Sequence, residues 1–258
     1  MTSSSAPSSA ASIMRKKVVL VTGASRGLGA ATAAAFARAG WRAAVNYRVS
    51  REAAERVVAE IAGAGGEAFA WRADVASAGE VAAMTVEIVR RWGRLDALVA
   101  NAGIAHEALC VSTREADWDA VLATNLKGVF LCVREAAAAM LRRGSGHLIA
   151  VGSRIGLSGG KGESAYAASK AALVGFILSA ARELGPSGIR ANAVVPGFMP
   201  TEMGRSASEE AQERARAESV FGRHADPHEA ARFIVNLAET EGVSGQLFTL
   251  DGRIHRWS

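Results

Sequence analysis

Tyr166 and Lys170 stand four residues apart in the segment Tyr166-Ala-Ala-Ser-Lys170, within a stretch from Glu163 to Leu184 that is helical in pattern. That spacing puts both side chains on one helix face. A lysine ammonium near a phenol favours the phenolate and lowers a tyrosine pKa from about 10, making it a usable acid or base near neutrality. Taken alone, a Tyr-x-x-x-Lys pair is common and mostly structural. Upstream, Gly152 and Ser153 end an apolar run, and ligands of open α/β sheets bind where such strands end.

A second constellation lies near the start of the chain, where an apolar run passes directly into Thr22-Gly-Ala-Ser-Arg-Gly-Leu-Gly29 and then into a strong helix former, Ala30 to Arg38. Gly23, Gly27 and Gly29 let the backbone turn sharply and approach a pyrophosphate, while the new helix offers free N–H groups and a positive dipole end. A tight strand-to-helix turn needs glycine on structural grounds too, so its place in the first βα unit carries much of the weight. Ser25, Arg26 and Leu28 fill the turn. After the second apolar run, where a carboxylate would bind the ribose 2′-hydroxyl of NAD, stand Asn46, Tyr47 and Arg48, and no carboxylate occurs between Gly40 and Glu52. Arg48 and Arg26 suit a 2′-phosphate through charge-assisted hydrogen bonds, which points to NADP(H) as cofactor. The alternative for Arg48 is a solvated residue at a helix entry.

The elements that must position these residues are legible as short apolar runs alternating with longer Ala-rich stretches of helical period, the pattern of βαβ units. Strands are expected near 17–22, 41–47, 67–72, 95–100, 146–151, 189–194 and 246–250. The fold class is therefore α/β, a Rossmann-type doubly wound sheet of seven parallel strands with helices on both faces. Ser77 with Glu80, and Asp226 with Pro227 and Glu229, mark helix starts. Gly40 and Gly63 are placed to end helices. Neither an internal repeat nor a dividing linker is visible, so residues 15–258 read as one domain behind a flexible Ser/Ala-rich tail at 1–14.

Along residues 15 to 252 the sequence resembles the short-chain dehydrogenase/reductase family. The turn at 22–29, Asp74-Val75, Asn101-Ala102-Gly103, Asn125, Ser153, the Tyr166–Lys170 segment, Pro196-Gly197 and Thr201 all occur in that family's order and spacing. The resemblance implies that Tyr166 gives a proton to the substrate oxygen as hydride arrives from the nicotinamide, and that Ser153 holds that oxygen. Lys170 would bind the ribose hydroxyls and depress the Tyr166 pKa, and Asn125 would position a proton-relay water. Asp74 and Val75 would flank the adenine; Asn101, Ala102 and Gly103 would line the cofactor groove, ending at Pro196, Gly197 and Thr201. It also implies a homotetramer. Segments at 101–104, 124–130 and 196–203 are similar to the 3-oxoacyl-acyl-carrier-protein reductases, which implies a 3-oxoacyl thioester substrate and acyl carrier protein as a partner. Departures are the closing Leu250–Ser258, the Gly185-Pro186-Ser187 turn with little basic surface beyond Arg142 and Arg143, and the loop carrying His106 and Glu107. They keep open a pathway-specific ketoreductase acting on a free small molecule. A lid is expected at about 200–221.

Composition narrows the remaining classes. Half of the 258 residues are apolar, and 30 basic side chains oppose 25 acidic ones for a net of +5. The basic residues are scattered, without the stripe or interleaved aromatics of a nucleic-acid surface. No apolar run approaches the roughly 18 residues of a membrane span, and no apolar segment precedes the first basic cluster as in a signal peptide. Cys110 and Cys132 have no metal or redox spacing and read as reduced thiols, which suits a cytoplasmic enzyme. Pro227 interrupts the His224–His228 pair, so no metal is expected.

Overall fold

A computed structural model describes residues 16–205 and 208–254, and the tail expected at 1–14 lies outside them. Seven strands, β1 (Val18–Val21), β2 (Arg42–Tyr47), β3 (Glu67–Arg72), β4 (Ala97–Ala100), β5 (Gly146–Val151), β6 (Ile189–Pro196) and β7 (Leu247–Leu250), form one sheet. They are all parallel, in the order β3-β2-β1-β4-β5-β6-β7. This is the expected doubly wound fold. After β3 the chain crosses back to the other side of β1, so a crevice opens beyond the carboxyl ends of β1 and β4.

The near-continuous apolar strands are explained by burial on both faces. Val18 and Leu20 point into one core with Leu98, Leu148, Met84, Ile88, Leu173 and Ile177. Val19 and Val21 point into the other, with Phe36, Val45, Val57, Ile149 and Ile234. The helices are α1 (Gly27–Arg38), α2 (Arg51–Gly63), α3 (Ala78–Trp92), α4 (Glu115–Leu122), α5 (Gly128–Leu141), α6 (Ile155–Ser158), α7 (Ser164–Leu184), α8 (Glu202–Arg205), α9 (Glu209–Ala217) and α10 (Pro227–Glu239), and the helical partners named above come from α1, α2, α3, α7 and α10. With the short turn that follows it to Ser187, α7 is long and apolar enough to span a bilayer on length and composition, contrary to the sequence reading. It buries Leu173 and Ile177 in the sheet core.

Helix ends follow local chemistry with two adjustments. Ser77 accepts from the Glu80 N–H at 3.4 Å, yet the Glu80 carboxylate turns to the Asp74 N–H at 3.0 Å instead of closing a reciprocal box. Asp226 caps α10 by accepting from the His228 N–H at 2.8 Å, with Pro227 in the first turn. Gly40 ends α1 with φ +85°, whereas Gly63 is still helical and the left-handed turn falls at Gly65, φ +80°. Between α4 and α5 the helix loosens into a π turn, Ala123–Lys127, which carries Asn125.

Candidate active site

At the carboxyl ends of the strands lies a cleft of about 370 Å³, lined by every residue that the sequence assigned to the cofactor. Ser153, Tyr166 and Lys170 line it as well. The glycine turn forms its floor. Gly23 and Gly27 have φ of +62° and +55°, a region that side chains disfavour, and a Cβ on Gly23 would come 2.9 Å from Ala102 Cα. A Cβ on Gly29 would collide with the Gly23 carbonyl and lie 2.6 Å from Asn101 Nδ2. Backbone this close, opening onto the amino end of α1, leaves a cradle for a pyrophosphate.

Two asparagines brace the cradle rather than reaching into it. Asn46 Oδ1 accepts from the Gly23 N–H at 3.2 Å, and its Nδ2 donates to the Ala73 carbonyl at 3.0 Å. Asn101 Nδ2 donates to the Thr22 and Gly23 carbonyls at 3.0 and 3.2 Å. The sequence placed both beside the cofactor, and both do line the cleft, but their amides are committed to backbone.

The two arginines meet carboxylates: Glu202, which sequence reading missed, and Asp74, which the resemblance placed beside the adenine. Arg26 is 2.7 Å from Glu202, at the start of α8, and Arg48 is 3.6 Å from Asp74. No stretch near the second strand supplies these acids; the fold brings them from distant segments. Within the region expected as a lid, about 200–221, Glu202 makes that contact and Glu218 pairs with Arg154 at 3.0 Å and Arg253 at 3.3 Å. Arg142 and Arg143 follow α5 and precede the amino end of β5, so they sit at the end of the sheet away from the cleft.

At the far wall, Lys170 is buried and donates to the Val151 carbonyl at 2.7 Å, with its amine 5.8 Å from the Tyr166 ring centre. Burial pushes the Lys170 pKa down to about 8. The expected depression of the tyrosine does not appear: burial raises the Tyr166 pKa, a hydrogen bond with Ser153 lowers it in part, and the Glu163 carboxylate raises it further. Loss of hydration is the largest influence, so the phenol holds its proton at neutral pH. Asn125 is fully buried, behind Gly103. Its Oδ1 accepts from the Ile104 N–H at 2.8 Å, and Nδ2 donates to the Ile104 carbonyl at 2.9 Å and to Ser169 Oγ at 3.1 Å. The π turn aims this side chain inward, a distortion with no sequence signature that recurs at functional sites.

His106 lies 3.4 Å from Asp117 on α4, a surface contact, while its neighbour Glu107 lines the cleft. Cys110 is exposed, and Cys132 is buried with its thiol pKa pushed up to about 12. Among the described residues no group of three or more His, Cys, Asp or Glu is arranged to hold a metal.

A doubly wound sheet with a glycine cradle at its switch point, facing a phenol, a hydroxyl and a buried amine, defines a dinucleotide-dependent oxidoreductase. Residues 17–212 match the short chain dehydrogenase family, and the chain belongs to it. It is 42% identical over 241 residues to the 3-oxoacyl-acyl-carrier-protein reductase FabG of Staphylococcus aureus, covering 93% of this chain and 98% of that protein. A 3-oxoacyl-acyl-carrier-protein reductase of Synechocystis is 41% identical over 244 residues, covering 92% and 96%. A crystal structure of a dehydrogenase/reductase from Sinorhizobium meliloti superimposes with a TM-score of 0.86 at 38% identity, covering 94% of this chain and 98% of that one. Family membership makes the protein an oxidoreductase that uses a nicotinamide dinucleotide.

Proposed function

We propose that the protein reduces the ketone of a 3-oxoacyl thioester to a secondary alcohol with NADPH. The observation that carries this reading is the cleft wall that brings Tyr166 together with Ser153 and, one helical turn on, Lys170, facing the glycine cradle. When bound, the nicotinamide supplies hydride to the carbonyl carbon. Negative charge then develops on the carbonyl oxygen, which needs one acid and one fixed donor. Tyr166 is the acid, and the Ser153 hydroxyl donates to the same oxygen. Lys170, already near neutral-pH titration, holds ribose hydroxyls and stabilises the phenolate left behind, while Asn125 fixes the loop at Ile104 and the helix at Ser169 around them. Arg26 and Arg48 take the 2′-phosphate.

Relatives named as 3-oxoacyl-acyl-carrier-protein reductases support the thioester. The test is NADPH consumption by purified protein with acetoacetyl thioesters and a panel of free ketones. Thioesters are expected to give the higher kcat/KM; a free cyclic or aryl ketone preferred over every thioester would overturn the substrate assignment.

A further inference from the structure

The end of the cleft beyond Tyr166 contains two carboxylates, Glu107 and Glu163, that transfer neither the proton nor the hydride of ketone reduction. Glu163 immediately precedes the first turn of α7, three residues before Tyr166, and Glu107 lies in the loop after β4. Both line the cleft. The backbone holds them side by side: Ala108 and Glu163 form a parallel bridge, and the Ala108 N–H donates to the Gly162 carbonyl at 2.9 Å. The Glu163 side chain makes no capping hydrogen bond to its helix. Its Oε2 instead occupies the space that a side chain on residue 160 would fill, which only Gly160 leaves open.

The cations of the cleft are placed elsewhere. Arg26 and Arg48 belong to the dinucleotide end and have carboxylate partners, and Lys170 is turned to the Val151 carbonyl. Burial and the Glu107 carboxylate raise the Glu163 pKa, with Arg214 of α9 offsetting this only in part.

We infer that Glu163 and Glu107 act as a charge filter at the substrate end, admitting β-keto groups whose acyl carbon is masked as a neutral thioester, ester or amide and rejecting free β-keto carboxylates. The inference rests on the proposed ketone reduction and adds to it what the acyl end must look like. A free carboxylate adjacent to the reacting ketone would enter the side of the cleft that carries two like charges, where repulsion exceeds its value in open water. A thioester has the same shape there and no charge.

The experiment compares kcat/KM with NADPH for ethyl acetoacetate, the acetoacetyl thioester of N-acetylcysteamine, and acetoacetate, in wild type, Glu163→Gln and Glu107→Gln. Fluorescence titration of NADPH in each variant reports separately on the cofactor end. Each substitution should cut the ester-to-acetoacetate ratio by about tenfold, the effect of one unit charge at roughly 8 Å in a half-dehydrated site, with the NADPH Kd unchanged. The filter is overturned if wild type reduces acetoacetate as well as the ester, or if either substitution leaves the ratio alone or moves it together with the NADPH Kd. Failure to reduce any β-keto compound, neutral or charged, would instead defeat the underlying function.

Discussion

Cofactor preference is the sharpest consequence of the site, because both arginines proposed to meet the 2′-phosphate are already paired with carboxylates. A hydrogen bond to a charged group contributes about 1.5–3 kcal/mol. Breaking the Arg26–Glu202 pair costs something first, but its side chains are 60% and 69% exposed, so its worth is about 0–1 kcal/mol. The difference, about 0.5–3 kcal/mol, makes Arg26 worth roughly 2- to 150-fold in NADPH affinity. Arg26→Ala should remove that factor for NADPH and leave NADH nearly untouched. Glu202→Gln should do the opposite, freeing the guanidinium and tightening NADPH up to about fivefold. Arg48→Asp places a second acid beside Asp74, and should cost NADPH most of all. Dissociation constants by fluorescence titration and kcat/KM for both cofactors, at low and high salt, measure all three. Salt should weaken NADPH binding more than NADH binding, since exposed charges are screened. Equal use of NADH by the wild type, or an Arg26→Ala loss shared equally by both cofactors, would refute the reasoning.

Tyr166→Phe removes the proton and keeps the ring, so kcat should fall by about 10² to 10⁴ with NADPH binding intact, and retention of more than about a tenth of kcat would show the acid to be elsewhere. A separate prediction concerns stability. Asn192 Oδ1 accepts from the Gln246 N–H at 2.9 Å, so the Asn192 amide donates to His147 Nε2 at 2.8 Å and the buried ring is neutral. Burial, with Arg190 nearby, lowers the His147 pKa to about 3 from an ordinary 6.5. The folded state thus takes up a proton later than the unfolded chain. Its stabilisation is complete above pH 6.5 and is lost as pH falls toward 3, at up to about 1.4 kcal/mol per unit. Urea midpoints from pH 7 to 5 should decline more steeply in wild type than in His147→Gln; parallel curves would contradict the assignment.

The parts of the fold that the sequence revealed are those governed by neighbours in the chain. Val18–Val21 reads as a strand because two-sided burial demands unbroken apolar residues. Ser77 and Asp226 mark helix starts because a cap bonds to N–H groups two or three residues on. The same locality explains the small error at the end of α2. Gly63, Gly65 and Gly66 crowd the segment, and only packing of the next strand decides which one takes the positive φ. The π turn at Ala123–Lys127 escapes any periodicity argument, since its extra residue is accommodated by tertiary contacts from Asn125 to Ile104 and Ser169.

The candidate site divides along the same line. Tyr166 and Lys170 share a helix, so their proximity follows from spacing alone, and the structure brings them to one wall of the cleft. Their electrostatics do not follow from spacing. Counting the lysine charge predicts a depressed phenol pKa, but a charge acts through its surroundings, and here burial penalises the phenolate and the ammonium alike. Lysine and tyrosine are consequently drawn toward their neutral forms in the same dehydrated wall, and the group that would favour a phenolate is itself weakened as a cation. Acid strength at Tyr166 thus depends on what fills the cleft. A bound dinucleotide and substrate would change the hydration of both groups and shift their balance, which no pair of residues read from the chain could express.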